Sequence, residues 1–220
     1  MELWNKLIEL SENITSIFDK SFSKQLGPVY NFEGWSDNFW ESDLIRNVHL
    51  KIIDNRETRK TWLMHINIFP KDNIDLPILG FDIVSGPNKI TGSFFDFSPV
   101  NPNHPYMTYF KSIAETLSWK RGRELPDWAK EIFSENIIAV GNITTEDEIN
   151  KLCNTVISLI EFYIQNMNKS NEQGNFKDIH NLYCKNQKLN QHLHKSILSM
   201  GISEIDKDDY LNNCLFKEID

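Results

Sequence analysis

Residues 62–85 read WLMHINIFPKDNIDLPILGFDIVS, two apolar runs on either side of a polar loop bounded by Pro70 and Pro77. Runs of this length and composition are strands. Each carries one polar group where a strand would otherwise be bland: His65 in the first and Asp82 in the second. If the strands are antiparallel and the loop is centred near Asn73, His65 lies opposite Asp82, because both are equidistant from that centre. Residues directly opposite each other have Cβ atoms roughly 4.5–5.5 Å apart. An imidazole and a carboxylate at that spacing can share a proton.

The neighbouring stretches extend the sheet. Asn47–Asp54 alternates, with Val48, Leu50 and Ile52 on one face and His49, Lys51 and Ile53 on the other. The charged tip DNRETRK turns the chain into the Trp62 run, and a turn centred on Glu57 would set His49 across from His65. The predicted row is therefore His49, His65 and Asp82 over three adjacent strands. After Ile78–Ser85, SGPNK is a strong turn signal. A fourth strand, Lys89–Phe97, has little bulk midway at Gly92 and Ser93, and Ser93 is expected to contact a ligand. The face opposite the row is almost wholly apolar and should carry helices. The His/Asp face is mixed, which fits either solvent or a lined pocket.

Leu3, Leu7, Ile8, Ile14 and Ile17 recur at helical spacing, so residues 2–20 form an amphipathic helix. Residues 21–42, with Gly27, Pro28 and Gly34, read as a loop holding a short strand at most. Met107–Trp119 is helical, KRGRELP ends it, and DWAKEIFS gives a short helix capped by Asp127. NIIAV at 136–140 is a fifth strand. Thr144 or Thr145 starts a helix that Glu148 supports as a capping box, running to about Met167. NKSNEQGNFKD is a polar linker, and Asp178–Met200 and Asp206–Lys217 are two final helices. The sum is α+β: a central antiparallel sheet of five or more strands flanked by helices on both faces.

Composition narrows the function. The 220 residues are 40% hydrophobic and 25% charged, which suits one globular domain over residues 1–220, with two small domains as the alternative. A net charge of −8 argues against nucleic acid as the main partner. Cys153, Cys184 and Cys214 form no CxxC pair, as expected of free thiols in a reducing compartment. The N-terminus lacks the unbroken apolar core of a signal peptide, and no window approaches the roughly 20 apolar residues of a membrane span. A soluble, cytoplasmic monomer is expected. There is no GxSxG elbow, Walker loop or GxGxxG. His49, Lys51 and His65 lack the ligand spacing of a metal site, so no metal is expected.

Pattern alone leaves His65 and Asp82 two readings: polar residues of a half-exposed sheet, or a proton-donating pair. Reference pKa values of about 6.5 for an imidazole and 3.9 for an aspartic acid suit the second. Two basic concentrations stand out in so acidic a chain. One is the Lys185, Lys188, His192, His194 and Lys195 helix; the other is Lys111, Lys120, Arg121, Arg123 and Lys130.

The segments LMHINIFP, LPILGFDIVSGPNKITGSFFDFSPV and RELPDWAKEIFSENIIAV, with YCKNQKLN…LNNCLF near the C-terminus, closely resemble the ferredoxin-dependent bilin reductases, which include the phycocyanobilin- and phycoerythrobilin-forming enzymes. The likeness runs from about residue 46 to 216. It implies an α/β/α sandwich binding biliverdin IXα between the sheet and the C-terminal helices. It implies no bound metal or flavin, single electrons from a [2Fe–2S] ferredoxin, bilin radical intermediates and protons from side chains. Carried over by position, Asp82 is the central proton donor, His65 its partner and relay, and His49 tunes the proton network. Asn190, with Gln191 beside it, lies near substrate. Lys51 is expected, with His49, to line the substrate site; it stands where phycocyanobilin-forming members have a Glu that serves reduction of the D-ring vinyl group, and as a cation near pH 7 it cannot serve as the same acid. Gly141 replaces an Arg that holds a propionate in some members. Several relatives also use an Asp of the C-terminal helix pocket for the A-ring, where this chain has Asn190-Gln191. The resemblance therefore points first to four-electron reduction of biliverdin IXα through 15,16-dihydrobiliverdin to phycoerythrobilin. Phycocyanobilin formation, a two-electron reductase stopping at the dihydro stage and a non-catalytic bilin carrier are the rivals. Because ferredoxin is acidic, Lys120, Arg121, Arg123 and Lys188 are the docking candidates.

Overall fold

The computed structural model describes residues 2–119, 124–169 and 173–220. Seven strands form one sheet in sequence order, every neighbour antiparallel: β1 Ser23–Gln25, β2 Trp35–Glu41, β3 Ile45–Asn55, β4 Thr61–Pro70, β5 Ile78–Ser85, β6 Ile90–Ser98 and β7 Ile138–Val140. The helices are α1 Glu2–Ser21, α2 Pro105–Thr116, α3 Asp127–Lys130, α4 Glu146–Asn166, α5 Lys177–Gln187, α6 Gln191–Ser199 and α7 Glu204–Tyr210, the last running into a π-turn at Leu211–Leu215.

Side chains of a strand alternate between faces, so the apolar residues divide into two layers. On one face Trp40, Val48, Leu50, Met64, Ile66, Ile68, Phe81, Ile83, Phe95 and Phe97 pack against the apolar stripes of α1, α2 and α4. On the other, Phe39, Phe69 and Ile78 pack against Tyr183, Cys184, Ile197, Tyr210, Leu211, Cys214, Leu215 and Phe216 from the C-terminal helices and π-turn. The sheet is thus covered on both sides, the α+β sandwich the strand pattern predicts.

Local chemistry sets the boundaries. The Thr145 hydroxyl accepts from the Glu148 amide and starts α4, as the capping-box reading requires. Gly34 has φ +76°, and a Cβ there would lie 2.6 Å from the Asp54 carbonyl, so only glycine fits where β2 begins against β3. That closely packed entry explains why residues 35–41, expected to be mostly loop, form a full strand. The expected single helix from 178 to 200 is two. The Asn190 side chain accepts from the amides of His192 and Leu193 and restarts the helix as α6. The helix expected at 206–217 yields to the π-turn after Tyr210, and the short α3 is capped at Pro126 rather than Asp127.

Ile66 lies directly between Leu50 and Phe81 on the apolar face and is fully buried. Ile66→Ala should lower the unfolding free energy by about 2–5 kcal/mol in urea denaturation. Because the side chain points away from His65 and Asp82, that loss should come without repositioning either group.

Candidate active site

The β4–β5 ladder pairs His65 directly with Asp82, and the His65 Nδ1–Asp82 Oδ1 distance is 2.5 Å. The predicted contact is therefore present. The His65 side chain is only 8% exposed while that of Asp82 is 45% exposed, so the pair has a sealed end and an open end. At the open end the half-buried Leu63, Val84, Phe94 and Ala139 lie on the same sheet face, by their register with β4–β7. The carboxyl group thus sits in an apolar strip flanked by the C-terminal helices. A surface hollow of about 420 Å³ lined by Ser11, Thr15, Asp19 and Ile52 lies on the far face, away from this network.

The row itself differs from expectation. The β3–β4 turn is centred one residue later than Glu57, so Lys51, not His49, pairs with His65, and His49 pairs with Asn67. A shift of two residues keeps every side chain on its face. His49 stays close, its ring centroid 6.4 Å from that of His65. The ladder continues to Asp37 on β2, so Asp37, Lys51, His65 and Asp82 form one line across four strands.

Asp37 organises a second cluster beside the first. Its Oδ1 lies 2.7 Å from His49 Nε2, accepts from the Tyr210 hydroxyl at 3.0 Å, and is 3.6 Å from Lys51 Nζ. The Lys51 ammonium is held over the Trp35 ring at 3.2 Å and the Tyr210 ring at 4.1 Å from their centroids. Burial pulls the Lys51 pKa down to about 7 even though Asp37 opposes the fall. Burial likewise takes His49 to about 4 against the pull of Asp37, so at neutral pH its imidazole is uncharged and its Nε2–H donates to the carboxylate. Burial also pushes Asp37 upward, but the His49 hydrogen bond and the Lys51 charge outweigh it and hold the carboxyl below its usual range. Asp37, His49 and Cys214 place one donor atom each within 4.8 Å of one another, a set with metal-ligand spacing. Burial drives the Cys214 thiol to about 12, so it stands protonated there, and the cation facing this carboxylate is Lys51. Several buried polar atoms on this face lack a hydrogen-bond partner among the described residues, among them Trp35 Nε1, His49 Nδ1, Lys51 Nζ, His65 Nε2 and Asn67 Oδ1. Such a concentration marks a place built to meet water or a ligand.

The remaining expected site residues are scattered. Ser93 is in register with Ile83 and Val140 on the apolar face, opposite to Asp82, so it faces the α1/α4 side and not the open strip. The period of two decides this, since its neighbour Phe94 takes the Asp82 face. The Asn190 amide oxygen is occupied in capping α6, and Gln191 is exposed. Lys188 Nζ is bound to Glu218 at 2.9 Å, and Lys185 approaches the same carboxylate at 3.6 Å, which offsets part of that basic face. Lys120, Arg121 and Arg123 lie outside the described residues. The reading from sequence missed Asp37, Trp35, Tyr210 and Cys214. The alternation of Trp35, Asp37 and Phe39 in WSDNFW was the available signal for the first two. No local pattern marks Tyr210 and Cys214, which reach the sheet from the end of α7 and from the π-turn that follows it.

Comparisons with known proteins agree on the fold and the family. Residues 11–217 match the family model described as ferredoxin-dependent bilin reductase. A phycocyanobilin:ferredoxin oxidoreductase of Prochlorococcus marinus is 26% identical over 219 residues, covering 93% of this chain and 87% of that protein. The structure of PcyX superposes with a TM-score of 0.71 at 24% identity, covering 97% of this chain and 99% of that one. Phytochromobilin synthase from tomato, crystallised in complex with biliverdin, superposes at 0.63 with 17% identity over 97% and 82% of the two chains.

Lys51 has a consequence for stability. Its folded pKa of about 7 lies below the ordinary 10.5, so between those values the unfolded chain holds the proton more tightly. The resulting cost is absent above pH 10.5, grows as pH falls toward 7, and is constant below. The difference in unfolding free energy between wild type and Lys51→Met, from urea titrations at pH 7 and pH 9, should therefore shift in favour of wild type at the higher pH. The expected slope is of the order of 1 kcal/mol per pH unit.

Proposed function

The chain belongs to the ferredoxin-dependent bilin reductases, which are oxidoreductases, and on that premise we propose that it reduces biliverdin IXα by four electrons, through 15,16-dihydrobiliverdin, to phycoerythrobilin. The observation that carries this reading is the His65–Asp82 contact, closed at the imidazole and open at the carboxyl beside an apolar strip. A bilin is flat and mostly apolar, and it fits a slot of that character with a few polar groups aimed into it.

Ferredoxin supplies electrons one at a time. Each electron added to the tetrapyrrole raises its basicity, so a proton held nearby then transfers readily. Asp82 is the donor that meets the bilin. His65 supports it through Nδ1 and returns a proton to it. His49, held neutral against Asp37, sets the charge and orientation of the neighbouring groups. Asn190 and Gln191 stand at the rim, where α6 begins. Ferredoxin docks on the α5–α6 side, where Lys195 is exposed and Lys185 and Lys188 share Glu218, or on the Lys120, Arg121 and Arg123 segment.

The choice of phycoerythrobilin rests on Lys51, which takes the position of the vinyl-reducing carboxylate that the family resemblance implies. The name of the Prochlorococcus relative favours a second reading, phycocyanobilin formation through a different donor. Anaerobic incubation with biliverdin and reduced ferredoxin, followed by chromatographic identification of the product, separates them. Phycoerythrobilin is the expected product, and blue phycocyanobilin would refute the first reading. Biliverdin bound with no absorbance change on adding reduced ferredoxin would identify a carrier instead. Asp82→Asn should slow turnover about 10²–10⁴-fold while biliverdin affinity stays within about threefold. Full activity in that variant would remove Asp82 from its role.

A further inference from the structure

Adding two electrons to a carbon–carbon double bond requires two protons, and the His65–Asp82 pair shares one hydrogen bond. The next member of the row supplies a candidate for the second. Lys51 pairs with His65 across the β3–β4 ladder, which brings their Cβ atoms within roughly 4.5–5.5 Å. Lys51 Nζ and His65 Nε2 are both buried, and neither has a hydrogen-bond partner among the described residues. One is a donor and the other, when Nδ1 carries the proton toward Asp82, is an acceptor. A four-carbon stem with three rotatable donors, alone or with one bridging water, spans that interval.

We propose that Lys51 is the internal proton reserve of the His65–Asp82 pair, so that Lys51, His65 and Asp82 act as one relay anchored at its closed end by Asp37. This rests on the reading of the chain as a bilin reductase. Asp82 gives its proton to the bilin after the first electron arrives, and the His65 Nδ1 proton moves onto Asp82. In that same step an N–H bond of the Lys51 ammonium breaks as one forms at His65 Nε2, so the ring stays neutral and Lys51 is left as a neutral amine. The reloaded Asp82 gives the second proton after the second electron. Before the next cycle the amine and the Asp82 carboxylate each regain a proton from solvent, and the His65 proton returns from Nε2 to Nδ1. Atoms and charge balance: two electrons from two reduced ferredoxins, one proton stored in the pair and one on Lys51.

The surroundings of Lys51 suit it to that task. It faces Asp37 and Trp35 from β2, His49 from its own strand, His65 from β4, Tyr210 from α7 and Cys214 from the π-turn. Burial holds the Tyr210 hydroxyl and Cys214 thiol protonated and His49 neutral. Of those cluster members whose titration is displaced, Lys51 alone changes charge near pH 7. Lys51 acts through His65 and is a positioning and relay residue, not a group in contact with the bilin.

The test is anaerobic stopped-flow reduction of the protein–biliverdin complex by two equivalents of reduced ferredoxin, between pH 6 and 9. In wild type the later, proton-limited absorbance phase should slow as pH rises through about 7, where the reserve empties. Lys51→Arg keeps the positive charge but holds its proton throughout this range. Its later phase should be at least about tenfold slower and nearly independent of pH. Asp37→Asn removes the carboxylate that holds the ammonium proton, so its limb should move to lower pH. Wild-type rates and pH dependence in Lys51→Arg would make Lys51 a fixed cation only and overturn the relay. If Lys51→Arg does not fold, by circular dichroism, Asp37→Asn decides, and an unmoved limb there also overturns it. A wild-type protein that does not reduce biliverdin at all would instead defeat the functional reading on which the relay rests.

Discussion

The register between β4 and β5 is the constraint on which the rest of the structure depends. A slip of one residue would send His65 and Asp82 to opposite faces of the sheet and dissolve their contact. The loop between the strands is accordingly pinned from several sides. Ile74 donates to Lys71, Gly174 donates to the Asn73 carbonyl, and Phe176 donates to the Asp72 carbonyl. The Tyr163 hydroxyl, from α4 on the far side of the sheet, donates to the Pro77 carbonyl at 2.8 Å. Both helical layers therefore hold the turn that aligns the pair.

The same sheet separates two kinds of chemistry. Its apolar face is a hydrocarbon interface with α1, α2 and α4, and supplies the stability of the fold. Its other face carries a line of ionisable groups across four strands, with several polar atoms that find no partner among the described residues. Burying such atoms without partners costs free energy, and the apolar face is what lets the chain tolerate that cost. The Asp37 cluster shows how the arrangement is held. A neutral imidazole, a tyrosine hydroxyl and a lysine converge on one carboxylate, while two aromatic faces confine the ammonium. Gly80 completes the packing: it lies opposite Asn67, and a Cβ there would meet the Tyr183 hydroxyl at 3.0 Å.

Much of this was legible in the sequence because strands have a strict period. Alternation located four central strands, separated the apolar from the mixed face, and placed His65 against Asp82. Turns are less tightly encoded. The DNRETRK tip is centred one residue beyond Glu57, which exchanged His49 for Lys51 in the row without changing its face. The β2 strand was hidden by Gly34 and a polar-aromatic mixture, and Asp37 was hidden with it. Parity, not size, sets the face of Ser93, which lies with Ile83 and Val140 on the apolar side. The ordinary pKa of a lysine makes Lys51 a fixed cation near pH 7 on sequence grounds. Only the tertiary enclosure by Trp35, Tyr210 and the sheet alters that, and no local pattern encodes an enclosure made by residues so far apart in the chain.

The central claim is that the open end of the His65–Asp82 pair meets a linear tetrapyrrole. A crystal structure of the protein with biliverdin IXα tests it most directly. The account predicts the bilin lying over Leu63, Val84 and Phe94, with a ring nitrogen or lactam oxygen within hydrogen-bonding distance of the Asp82 carboxyl. A bilin bound on another surface, or in that strip with Asp82 turned away and out of reach, would contradict it.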